Sequence, residues 1–131
     1  MYKRQGSNIG LPSDFPTGLH ILANKGVIIG RDAGGLFALS AICTHSSCDM
    51  SSTGPSGSFG LVCDASQPGC TPSEAGDVMC LCHGSIFASS GAVVRGPAMI
   101  PLTPLLLTLG CDGALYVNRG KPVSNTARVV A

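Results

Sequence analysis

The sequence predicts an all-β domain, and three observations point that way. Gly and Pro are plentiful, at 18 and 9 of 131 residues, a level that favours turns and short strands over long helices. The runs rich in Val, Ile, Leu and Phe are short and bounded by turn residues, as strands are. No stretch repeats its apolar residues at the 3.6-residue period of an amphipathic helix. The length fits one domain. Its core lacks bulk, because Trp is absent and only four Phe and two Tyr occur, so covalent or metal staples are expected.

Residues 1–18 are polar and punctuated by Pro12 and Pro16, and read as an N-terminal tether or covering segment. The domain proper is expected over 19–118. Val27-Ile28-Ile29 has strand composition. Asp32-Ala33-Gly34-Gly35 makes a turn, and Leu36 to Ile42 forms a second strand that runs into Cys43. Residues 49–79 are dominated by Ser, Thr, Gly and Pro and carry Cys63 and Cys70. They read as a long irregular insertion, the kind of loop that is usually functional or tied down. Val78-Met79 leads into Cys80. Ile86-Phe87-Ala88, the turn Ser89-Ser90-Gly91 and Ala92 to Arg95 form a hairpin, and Gly96-Pro97-Ala98 ends it. Leu105 to Leu109 and Ala114 to Val117 flank Asp112-Gly113, a strong hairpin signal. Residues 119–131 read as a polar tail. Cys111, after a Leu-rich strand, is expected to be a small buried residue. His20 is expected to be structural or at the surface, and Lys25, Arg31 and Arg95 solvated.

The formal net charge is +1, only 11% of residues are charged, and no basic stripe exists. That argues against a nucleic-acid partner. No apolar run approaches the roughly 20 residues of a membrane span; the longest, Met99 to Leu109, is broken by Pro101 and Pro104. The N-terminus has no hydrophobic stretch of the signal-peptide kind.

Chemistry concentrates in two short stretches, Cys43-Thr44-His45-Ser46-Ser47-Cys48 and Cys80-Leu81-Cys82-His83-Gly84-Ser85. They hold four of the seven Cys and two of the three His. Imidazole nitrogen with thiolate is a borderline-soft donor set. Two Cys and two His on two β-loops could hold one tetrahedral zinc or a [2Fe–2S] cluster with Cys on one iron and His on the other.

C-T-H-x-x-C followed by C-x-C-H-G-S resembles the two boxes of Rieske iron–sulfur proteins, particularly those of cytochrome bc and b6f complexes. The resemblance spans roughly residues 36–118 and extends to Gly96-Pro97-Ala98, which is similar to the family's Pro loop. It implies a Rieske-type fold of stacked antiparallel sheets, with two cluster-binding loops and a Pro loop at one end. It implies a [2Fe–2S] cluster held by Cys43, His45, Cys80 and His83, and a disulfide joining Cys48 to Cys82. Ser85 and Gly84 are implied to tune the cluster, Ser85 by donating its hydroxyl to a bridging sulfide. Gly96 and Pro97 would cover it. Phe87 stands where many respiratory members have a Tyr that bonds a ligand sulfur, which predicts a lower reduction potential than theirs. Two imidazoles in place of two thiolates raise the potential of such centres to about −150 to +300 mV, against about −400 mV for all-Cys plant-type ferredoxins. A His on a ferric ion is acidified by the metal charge, so His45 and His83 would couple proton and electron transfer.

Two departures stand out. Ser46-Ser47 replaces the usual Leu-Gly, which makes the docking tip more polar. The 34 residues between His45 and Cys80 are roughly twice the usual gap, and Cys63 and Cys70 are expected to close a second disulfide that stabilises this loop. The resemblance implies a one-electron-transfer subunit or domain of an oxidoreductase complex, not a complete enzyme. The expected setting is the soluble head of a bc-type quinol:cytochrome c oxidoreductase subunit. Its donor would be a quinol or an oxidase, and its acceptor a c-type cytochrome or similar carrier. The alternatives are the small subunit of a molybdenum oxidase such as arsenite oxidase, a Rieske ferredoxin, and a non-redox structural zinc module. Disulfides imply an oxidising compartment. The expectation is therefore the periplasmic side of a bacterial-type membrane, with membrane contact through an upstream anchor or a partner complex.

Overall fold

The computed structural model describes residues 6–44, 48–51, 61–63, 77–80, 85–88, 90–96 and 99–130. Among them are ten strands: β1 (Ser7–Gly10), β2 (Gly18–Leu22), β3 (Val27–Asp32), β4 (Gly35–Ser40), β5 (Leu61–Cys63), β6 (Asp77–Met79), β7 (Ile86–Ala88), β8 (Val93–Arg95), β9 (Pro104–Leu109) and β10 (Leu115–Pro122). A 3-10 turn covers Pro12–Asp14. The described residues contain no α-helix. Every strand pairing is antiparallel. The strands form a six-stranded sheet, ordered β1-β10-β9-β4-β3-β2, and a four-stranded sheet, β5-β6-β7-β8. The all-β expectation, with stacked antiparallel sheets, therefore holds.

The pleat sorts the apolar residues between two cores. On β3 and β4, Ile28, Phe37 and Leu39 point to one core, while Val27, Ile29, Leu36 and Ala38 point to the other. Successive strand residues face opposite sides, and both sides are buried here. That is why these segments read as continuous apolar runs without polar alternation. The second of these cores also takes Leu105 and Leu107 of β9 and Leu115 and Val117 of β10. Ile9 of β1 and Leu22 of β2 pack on it too, although β1 and β2 are the opposite edges of the sheet. The sheet must therefore curl around this core. Across the closure, Arg119 Nη1 donates to the Lys25 carbonyl at 3.1 Å.

The first core lies between the curled sheet and the four-stranded one. It joins Leu19, Ile28, Phe37 and Leu39 to Met50, Val78, Phe87 and Leu102. The β7–β8 turn is seated here by Gly91. Its φ is +90°, and a Cβ would stand 2.9 Å from the Leu102 carbonyl oxygen. That φ favours glycine. The Gly91 amide donates to Ala88 O and its carbonyl accepts from Leu102 N, both at 2.8 Å.

Several segments sharpen the sequence-based expectation or differ from it. Within the expected tether or covering segment, it is the covering alternative that holds for residues 7–10, which form β1 and pair with β10. Residues 61–63, inside the expected irregular insertion, form β5 and pair with β6. Strand β10 continues to Pro122, and Val129 bridges to Leu36, so part of the polar tail packs on the sheet. Arg31 is not simply solvated: Nε donates to Phe15 O at 2.7 Å and Nη2 to Pro12 O at 3.0 Å, which holds the 3-10 turn against β3. Cys111 is exposed, not buried. It sits in the β9–β10 turn, where Gly110 N donates to Ala114 O, and the turn carries it away from the Leu-rich face. His20 donates from Nε2 to Pro16 O at 2.7 Å and meets the Phe15 ring edge-on at 5.6 Å, a structural role.

Candidate metal centre

The two Cys/His stretches are closed at their ends in the same way. In the first, Ile42 pairs with Asp49, and inside that pair the Cys43 amide donates to the Cys48 carbonyl at 2.7 Å. In the second, Met79 of β6 pairs with Ile86 of β7, and inside it the Cys80 amide donates to the Ser85 carbonyl at 2.8 Å. Each six-residue loop is thus closed by the same bond, from the amide of its leading Cys to the carbonyl five residues on. The bond satisfies one backbone donor and one acceptor just past the last paired residues.

Both leading cysteines are buried, Cys43 at 1% and Cys80 at 0% exposure. They belong to one apolar cluster although 37 positions separate them in sequence. Neither is in a disulfide, whereas Cys48 is disulfide-bonded. Phe87 lies fully buried in the same cluster. Ser85 is fully buried, and the described residues contain only one other buried polar side chain, Ser51. So each loop has one buried serine at or beyond its closing end.

A third segment abuts the first loop. Thr44 Oγ1 donates to the Ile100 carbonyl at 2.5 Å. Ile100 and Met99 before it are exposed, at 63% and 91%. Sequence reading missed this apolar pair. The signal was present in the run Met99-Ile100 directly after Gly96-Pro97-Ala98, but it read as part of a broken apolar stretch.

Of the expected site residues, Cys43, Cys48, Cys80, Ser85 and Phe87 are brought together by the two loops and the core beneath them. Gly96 follows β8 and is exposed. Cys63 closes β5. His45, Cys70, Cys82, His83, Gly84 and Pro97 lie outside the described residues, as does the Ser46-Ser47 tip. The donor chemistry described fits an iron–sulfur cluster. Two buried cysteines outside any disulfide, packed in one cluster, are the kind of soft donor such a group takes.

A family model for the Rieske [2Fe-2S] domain matches residues 5–106. The cytochrome b6-f complex iron-sulfur subunit of Synechococcus sp. (strain CC9605) is 36% identical over 76 residues, which cover 58% of this chain and 32% of that protein. The corresponding subunit of Chlorobaculum tepidum is 30% identical over 114 residues, covering 84% of this chain and 51% of that protein. The chain thus spans about a third to a half of these relatives. Among solved structures, the cyanobacterial plasma membrane Rieske protein of Synechocystis PCC 6803 superposes with a TM-score of 0.53 at 23% identity, covering 86% of this chain and 98% of that one. The ferredoxin of carbazole 1,9a-dioxygenase from Nocardioides aromaticivorans IC177 gives 0.53 at 16% identity, covering 89% and 97%. At these identities the structural likeness concerns the fold alone. The matched domain and the paired cysteine loops agree, and the chain belongs to the Rieske [2Fe-2S] family, carriers of single electrons on a [2Fe-2S] cluster.

Proposed function

We propose that this chain is the electron-carrying head of a bc-type quinol:cytochrome c oxidoreductase subunit. Cys43 and Cys80 would bind one iron, and His45 and His83 the other, with Cys48 bridged to Cys82. The observation that carries this reading is the pairing of two identically closed loops. They put two cysteines that are outside any disulfide into one dry cluster, while Cys48 is disulfide-bonded. The cluster, when bound, takes up and releases one electron. The chain's own residues then set the conditions. Burial of Cys43 and Cys80 excludes water from the sulfurs. Loop closure fixes the Cys43 and Cys80 backbones. Met99 and Ile100, tied to the first loop through Thr44, offer an apolar face beside the centre, where a partner protein would approach.

The disulfide on Cys48 supports the bc-type setting over a ring-dioxygenase ferredoxin, which usually lacks both extra cysteines. The relatives at 30–36% identity are subunits of cytochrome b6-f complexes, which supports a quinol as donor and a c-type cytochrome or similar carrier as acceptor. Such a head would work on the exported side of a bacterial-type membrane. A second reading, the small subunit of a molybdenum oxidase, is favoured by Phe87 and by the serine tip at Ser46-Ser47.

The deciding experiment is a redox titration of the purified protein followed by visible absorbance and EPR. A red-brown protein, EPR-active on reduction, with a potential inside the Rieske range of about −150 to +300 mV and rapid electron donation to a c-type cytochrome is expected. A colourless protein holding one zinc per chain would sink the reading.

A further inference from the structure

The base of the first loop is tied to the central sheet by a small polar network. Asp49 lies one rung below the Cys43–Cys48 closure, paired with Ile42. Its Oδ1 accepts from the Ser51 amide at 2.8 Å and from Ser51 Oγ at 2.6 Å. The same hydroxyl oxygen accepts from the Gly26 amide at 2.7 Å, across 25 positions of sequence. The Ser51 carbonyl accepts from the Asn24 amide. Beside this network, Met50 N donates to Ala41 O at 2.8 Å and Ala41 N to Gly26 O at 2.9 Å.

A local turn would explain the bond from Asp49 to the Ser51 amide. It would not explain a fully buried hydroxyl that joins a carboxylate to a backbone amide of the β2–β3 turn. A buried hydroxyl is costly to leave without partners, and this one has two. The Asn24-Lys25-Gly26 turn belongs to the curled sheet, and Asn24 adopts a φ of +60°, the left-handed region that Asn enters more readily than most non-glycine residues. Sheet, turn, Ser51, Asp49 and loop are therefore one connected unit.

We propose that Ser51 and Asp49 are a positioning pair for the iron–sulfur centre. Ser51 pins the first loop to the sheet, and Asp49 holds a fixed negative charge beside it that lowers the reduction potential. This rests on the reading of Cys43 as a cluster ligand. An anion held near the centre favours the more positive, oxidised state, and in a partly buried site such a charge is screened far less than at the surface. The clamp keeps that charge in one place.

Three variants separate charge from geometry. Asp49→Asn retains an acceptor oxygen for Ser51 and removes the charge. It should keep full cluster content and unchanged EPR g-values, and shift the midpoint potential upward. Ser51→Ala removes the clamp. It should broaden the EPR lines and speed cluster loss on incubation severalfold, and Ser51→Thr, which restores the hydroxyl, should recover the wild-type lines. An Asp49→Asn potential equal to wild type overturns the electrostatic role. Wild-type lines and cluster retention in Ser51→Ala overturn the positioning role. Retention of the cluster in Cys43→Ser would instead overturn the ligand reading beneath both, and this proposal with it.

Discussion

The ring of Phe37 covers Gly30, its cross-strand partner on β3. A Cβ at position 30 would stand 2.2 Å from the ring's Cζ. The glycine makes room for an aromatic face that the sparse core needs. Gly30→Ala should therefore cost about 1–3 kcal/mol by overpacking and lower the melting temperature by several degrees. The check is thermal unfolding in a double-mutant cycle with Phe37→Leu. The cost of Gly30→Ala should shrink in the Leu background, and an equal cost in both backgrounds would show that the ring is not the obstacle.

Arg128 stacks on Phe37, its Cζ 4.4 Å from the ring centroid. Its Nη2 pairs with Asp32 Oδ2 at 2.8 Å, and Nε donates to both carboxylate oxygens. The Arg128 hydrogen bond holds the Asp32 carboxyl below its ordinary value. Both side chains are about a fifth exposed, so solvent screens the pair. Arg128→Ala should cost about 1–2 kcal/mol, the sum of a partly screened ion pair and a cation–π contact. Because the folded pKa of Asp32 is depressed, the ion-pair share is fully present above the unfolded carboxylate value near 4. It is lost as pH falls through the lower folded value. Urea unfolding should show a wild-type advantage at about pH 7 that narrows under acid to the cation–π share. An advantage that grows on acidification would refute the assignment.

Much of this was legible in the sequence, for reasons that can be traced to residues. The strands around Val27-Ile28-Ile29 and Leu36 to Ile42 announce themselves because β-branched and large apolar residues run between Gly and Asp turns. The Asp112-Gly113 turn does so through its dipeptide. The paired loops were legible because Cys and His are rare and their spacing is chemical. What could not be read is whatever depends on long-range pairing. Ser7–Gly10 has a single apolar residue, Ile9, too little to mark a strand, and it pairs on the edge that β10 offers. Leu61–Cys63 is too short to stand out and is made a strand by β6. Arg128, Arg31 and Ser51 look like ordinary surface residues, and each is fixed by a partner at least 16 positions away. Cys111 misled because a Leu-rich strand precedes it, while the turn it occupies decides its exposure.

The cysteines should separate by role. Cys43→Ser and Cys80→Ser each remove a buried sulfur and should abolish the visible absorbance of the cluster, with bound iron falling in parallel. Cys48→Ser should leave Cys43 and Cys80 in place and act through stability. If Cys48 is bridged to Cys82, loop-closure arithmetic gives about 4 kcal/mol, seen as a lower unfolding midpoint and faster bleaching. Cys111→Ser, at an exposed turn, should leave both spectrum and stability at wild-type values. Iron content equal to wild type in Cys80→Ser would contradict the ligand set.

Phe87 is fully buried in the cluster that contains Cys43 and Cys80, and that placement sharpens what a hydroxyl there would do. Phe87→Tyr adds one donor to a dry cluster that holds Cys43 and Cys80. A hydrogen bond to a ligand sulfur stabilises the reduced, more negative centre and raises its potential. A hydroxyl that found no partner would cost about 1–3 kcal/mol and would not move the potential. The expected result is therefore a higher midpoint potential with the melting temperature close to wild type. A potential at or below wild type, together with a loss of stability, would mean that the ring edge faces carbon and not sulfur, and that position 87 does not tune the centre.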